Sequence, residues 1–166
     1  MWCGFRFPAR TWWLIALVSL HGAVDTVLFY WWPRFLGSSA FTTRPIAPGY
    51  FMSGFAAAYL LSRTLLAALP EDRWRRRLMV FPGLLGGGVL IAGILSRNYL
   101  LTGGAYVVGA FLWSAEMPAF LSRIADHAGP RFGAALAVQQ MLVAGGTAAA
   151  MAGLGVLIEA VSEPEM

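Results

Sequence analysis

Three ionisable side chains stand in stretches that are otherwise apolar: His21, Asp25 and Glu116. His21 and Asp25 are four residues apart, a spacing that puts both on one face of a helix. An imidazole that titrates near neutrality beside a desolvated carboxylate can pass a proton along. Glu116 lies two residues before Pro118, which removes a backbone donor and predicts a kink at that point. Arg63, Gln139 and Gln140 add polar groups in similar surroundings. A charge near the centre of a bilayer is costly, so it faces a water-filled cavity or a partner. The six residues are therefore expected to line a substrate or proton pathway. A plainer role is also open: an interhelical clamp in which His21 or Arg63 pairs with one of the acids.

Other chemistry finds little support. His, Asp and Glu are metal-ligand types, but no HExxH, CxxC or His-rich spacing accompanies them, and no metal or cofactor is expected. The sole cysteine, Cys3, allows no internal disulfide. His127 stands alone in a connection, where a solvated role suffices. Gly86, Gly87 and Gly88 do not follow a strand, so they form no phosphate-cradling loop.

The elements that would position these residues are apolar runs. The chain has 166 residues with 12% charged, and its mean hydropathy is +0.65. A run of about twenty apolar residues must cross a bilayer or lie deep in a large core, and this chain is too short to provide that core. The reading is an all-α polytopic membrane bundle of five transmembrane helices, forming one domain over residues 1–166. The spans are expected at about 11–32, 50–69, 78–95, 99–121 and 134–160. Trp12 and Trp13 at one end of the first span, and Tyr30, Trp31 and Trp32 at the other, suit the two interfaces. A cleaved signal sequence fits less well, because the apolar run continues to those aromatics. Gly145, Ala149 and Gly153 form a small-residue stripe that would let another helix approach closely.

All twelve basic residues are arginines, and their distribution sets an orientation. Arg6, Arg10, Arg63, Arg73, Arg75, Arg76, Arg77, Arg123 and Arg131 fall on one side, against Arg34, Arg44 and Arg97 on the other. The first side is then cytoplasmic, with the N-terminus inside and the C-terminus outside, in an inner (plasma) membrane. The net charge of +4 follows from these flanking arginines, so no nucleic-acid partner is expected.

The connection Asp72-Arg73-Trp74-Arg75-Arg76-Arg77 resembles the signature loop of the major facilitator superfamily, an Asp-Arg-x-Gly-Arg-Arg run between the second and third spans. Asp72, Arg73, Arg76 and Arg77 match it, whereas Arg75 replaces the glycine and Ala68 stands where an earlier glycine would be. Both departures resemble the degenerate copy in the C-terminal half. The stretch from Pro118 through Ser122-Arg123-Ile124-Ala125-Asp126 and Gly129-Pro130-Arg131-Phe132-Gly133-Ala134 resembles that family's tenth-to-eleventh-span connection. The resemblance implies a half-transporter-like chain corresponding to spans seven to eleven. It also implies that the first and fourth spans line a cavity, and that Asp72, Arg73, Arg76 and Arg77 form a cytoplasmic gate loop.

Such transporters rock two halves against each other. The resemblance therefore implies a homodimer or a complementary membrane subunit, with a small-molecule solute as cargo and proton coupling as one option. The competing class is a non-transporting accessory or assembly subunit of a membrane complex. A third, an intramembrane enzyme acting on lipid, would need a nucleophile such as Ser19 or Ser114 in a setting that the sequence does not supply.

Overall fold

The computed structural model describes residues 6–38, 40–67, 77 and 80–162, with only the backbone for 67 and 157–162. Every regular element among them is helical. The order is α1 (Ala9–Leu36), α2 (Pro48–Ala67), α3 (Phe81–Leu95), α4 (Tyr99–Trp113), α5 (Glu116–Ala128), a single 3-10 turn (Gly129–Arg131) and α6 (Phe132–Ser162). Helix occurs in all five expected spans. Two helical stretches, Ala9–Leu36 and Tyr99–Val156, are long and apolar enough to cross a membrane; the second runs through both the break before α5 and the 3-10 turn. α2 has the length, but Arg63 and its serines dilute it, and α3 is shorter.

The expected fourth span is two helices. Pro118 cannot donate to the carbonyl of Ser114, and its ring crowds that carbonyl, so α4 stops at Trp113 and α5 restarts at Glu116. Trp113, Ser114, Ala115 and Glu116 are all buried, which keeps the interrupted backbone away from solvent.

The chain divides into two compact units. A terminal unit comprises Met1–Leu28 and Arg123–Met166, and a central unit comprises Phe29–Ser122.

In the central unit α3 and α4 form an antiparallel pair. Gly86 meets the Gly109 carbonyl, and Gly93 meets Ala105 and Leu101, so the partner numbers fall as the α3 numbers rise. The buried positions Gly86, Leu90 and Gly93 share one face of α3, and Thr102 Oγ1 donates to the Gly93 carbonyl at 2.8 Å. α2 runs parallel to α4. The Phe51 ring fills the space that a Gly103 side chain would take, and Gly54 packs on Val107. Tyr99 joins this end to the α1–α2 connection by donating its hydroxyl to the Ile46 carbonyl at 2.7 Å.

The α3–α4 turn is three residues long. Ser96 closes α3, Arg97 takes a left-handed conformation (φ 52), and Asn98 caps α4 by accepting from the amides of Leu100 and Leu101.

In the terminal unit α1 and α6 run parallel. Arg131 Nη1 donates to the Arg6 carbonyl at 2.8 Å, Ser19 Oγ lies 3.3 Å from the Gln139 carbonyl, and Gly146 packs on Ala23. Partner numbers rise together along both helices. Thr11, Ile15, Val18 and Gly22 form the buried face of α1 at helical spacing. Its exposed side is equally apolar, with Trp13, Leu17, Leu20 and Val24 following the same period.

Candidate functional site

Two groups of polar residues emerge, one in each unit. In the central unit Glu116 is the first residue of α5, and its carboxylate lies against Gly83 in the first turn of α3. A side chain at Gly83 would occupy the position of the carboxylate oxygens. The first turns of α3 and α5 carry amides that lack intrahelical acceptors, fewer by one each because Pro82 and Pro118 have no N–H. These helix ends are positive, which favours an acid here. Only 7% of Glu116 is exposed, so the stabilisation operates with little competition from solvent.

Arg63 belongs to a different arrangement in the same unit. Phe51, Phe55, Tyr59 and Arg63 recur every four residues along α2. Trp32 stacks on Tyr106 (centroids 4.9 Å apart), Tyr106 on Phe55 (4.6 Å), and Phe55 on Tyr59 (5.5 Å). The Arg63 guanidinium closes the column, 4.2 Å from the Tyr59 centroid, and its Nη2 donates to the Tyr59 hydroxyl at 2.8 Å. Its Nε is buried and finds no acceptor among the described residues. Sequence reading placed Arg63 in the pathway and missed the column, although the four-residue aromatic spacing was its visible trace.

In the terminal unit His21 and Asp25 occupy adjacent turns of α1 and are half-buried. Gln139 and Gln140 begin the long apolar part of α6. Gln140 Nε2 donates to Gln139 Oε1 at 3.0 Å, while Gln139 is 1% exposed and its own Nε2 meets no acceptor among the described residues. Ser19, not singled out for this role in the sequence, ties α1 to α6 at the same level.

Of the gate-loop residues, Asp72, Arg73 and Arg76 lie outside the described residues. Arg77 is exposed, and its carbonyl accepts from the Val80 amide at 3.3 Å. Among the described residues no three of His, Cys, Asp and Glu gather as a metal set. His127 Nδ1 lies 2.8 Å from the Arg123 carbonyl, one turn back on α5.

The class these features define is an all-helical protein with two helical stretches of membrane-spanning length and apolarity. No family model, curated protein or solved structure matches the chain.

Proposed function

We propose that the chain is an integral membrane protein of five spans that resembles half of a major facilitator transporter and moves a small solute. Several packing features support the membrane part. Helices apolar on the packed face are apolar on the exposed face too: Leu17 and Leu20 on α1, Leu84, Leu85 and Leu95 on α3, Met141 and Val156 on α6. Water does not favour such a surface, whereas lipid does. Within the units, α1 with α6 and α2 with α4 are parallel, while α3 and α4 are antiparallel. Those directions suit an alternating up-and-down path with an odd number of spans.

The observation that carries the transport reading is the broken fourth span with a buried carboxylate at its restart. Interrupted helices whose ends face a charged group inside the membrane are a recurring way to build solute and ion sites in transporters; here the interruption falls toward one end of the span, at residues 114–115 of 99–121. Irregular backbone at that depth is tolerated where protein covers it, as at Ser114 and Ala115. Glu116 is then the pathway carboxylate of the central unit, and His21 and Asp25 are the titratable pair of the terminal unit. Five spans leave room for a second copy, or a complementary subunit, to supply the other wall.

A second reading has its own support. The Glu116 carboxylate packs on the Gly83 backbone, which suits a fixed clamp in an accessory subunit.

Reconstitution separates the two. Proteoliposomes are screened for uptake or currents with sugars, amino acids, organic acids and organic cations. A saturable response that Glu116→Gln abolishes, with folding retained, supports transport. Silence across all classes, or a response indifferent to Glu116→Gln, favours the clamp.

A further inference from the structure

In the terminal unit Arg131, far in sequence from Arg6 and Arg10, is brought to the start of α1. The Arg131 bond to the Arg6 carbonyl holds the start of α1 against the turn that precedes α6. Arg6, Arg10 and Arg131 are exposed at that end, with Arg123 one to two turns back on α5. Asp126 is the one acid among them in the described residues, so positive charge remains in excess. Trp12 and Trp13 stand at the same level, 40% and 71% exposed, as interfacial aromatics do.

A groove lies further along α1 and α6, beginning at Ser19. Its volume is about 240 Å³, and its walls include Ser19, Ala23 and Val27 of α1 with Leu142, Gly146 and Ala150 of α6. Ser19 lies about 13 Å beyond Arg10 along the helix axis. Half of a hydrocarbon core is about 15 Å deep, so an acyl chain anchored among the arginines reaches the mouth of the groove.

We propose that the terminal unit binds one anionic phospholipid, its phosphodiester among Arg6, Arg10 and Arg131 and an acyl chain in the α1–α6 groove. The occupant is fixed by two features at once. The excess of positive charge favours a headgroup of net negative charge over a zwitterionic one, and arginine presents forked donors to its phosphate oxygens. The groove offers aliphatic and small side chains, which suit a hydrocarbon chain. A soluble anion would satisfy only the first feature, and a zwitterionic lipid only the second with full strength. This inference rests on the membrane reading above and adds a ligand to it.

Native mass spectrometry of the full chain, delipidated in neutral detergent, tests it. Phosphatidylglycerol, phosphatidylcholine and glycerol phosphate are titrated in separate arms. The expected result is a single phosphatidylglycerol adduct preferred over phosphatidylcholine, with no measurable adduct of glycerol phosphate. Arg10→Gln combined with Arg131→Gln should weaken the phosphatidylglycerol adduct by about tenfold or more. Ala150→Trp, which fills the groove and leaves every charge in place, should weaken it as well, while Arg44→Gln with Arg97→Gln should not. Equal retention of the two lipids, an unchanged preference in the double variant, or glycerol phosphate binding as well as the lipid would each overturn the proposal. Failure of the membrane reading has its own signature: release of the chain from membranes by an alkaline carbonate wash. A chain that resists the wash yet shows no lipid preference sinks this proposal alone.

Discussion

The central and terminal units both contain glycine-rich helices, and they use those glycines differently. In the central unit several glycines are holes filled by a large side chain, while Gly93 seats Ala105 and Gly49, Gly87, Gly88 and Gly104 meet nothing within 4 Å. Phe51 enters at Gly103, Val107 lies on Gly54, and the Trp113 ring covers Gly86 and Gly109. In the terminal unit Gly133, Gly145, Gly153 and Gly155 have nothing within 4 Å of where a side chain would begin, and Gly146 meets Ala23 of α1. A small-residue stripe therefore states that something can approach. The large residue across from it decides whether anything does.

Removing the filling residues should break this contrast most strongly. Tyr106 is fully buried and sits between Trp32 and Phe55 in the column. Tyr106→Ala should cost the central unit about 4 kcal/mol, because deleting a buried ring leaves a cavity that stacked neighbours cannot close. Leu142→Ala, on the largely exposed part of α6, should cost under about 1 kcal/mol. Unfolding in mild detergent, followed by near-ultraviolet circular dichroism, compares the two. Equal losses would mean that the terminal unit is as tightly packed as the central one.

Filling the holes gives a smaller effect of the same kind. Gly103→Leu must expel the Phe51 ring and should cost about 2 kcal/mol through overpacking. Gly145→Leu meets open space, and by replacing a helical glycine it should leave stability unchanged or raise it slightly. If Gly145→Leu instead lowers the mass of the assembly extracted from membranes, the stripe is an interface between chains.

Part of the helical architecture was legible in the sequence, whereas the division into two units was not, for physical reasons. Apolar run length came close to two helix ends: the third run was read to stop at residue 95 and the fourth to begin at 99, where α3 ends at Leu95 and α4 starts at Tyr99. Run length cannot see a hydrogen bond that a proline forbids four residues upstream, so the break at Ser114 and Ala115 was foreseen as a kink and not as two helices. The stripe Gly145-Ala149-Gly153 was legible as a stripe, but its lack of a partner in α1 depends on helix rotation, which shifts the contact to Gly146. Glu116 was identified by its rarity. Its seat on Gly83 required knowing which turn of α3 comes near.

The finest comparison lies in the two turns. Each unit has one left-handed residue among those described, with the same φ of 52: Arg97 in the central unit and Gly129 in the terminal one. Glycine reaches that region without steric cost, whereas an L side chain crowds its own carbonyl by about 1 kcal/mol. Arg97 holds it because the turn is pinned on both sides, by the Ser96 amide on the Ala92 carbonyl and by the Asn98 cap on α4. Arg97→Gly should therefore stabilise the α3–α4 pair by about 0.5 kcal/mol, the relieved strain being partly offset by the freer unfolded chain. Gly129→Ala, with open space around it, should destabilise the terminal unit by about 1 kcal/mol through the dihedral alone. Opposite signs are expected at the same angle. If Arg97→Gly destabilises, the arginine side chain is holding the turn through contacts of its own, and the capping bonds are not what fixes it.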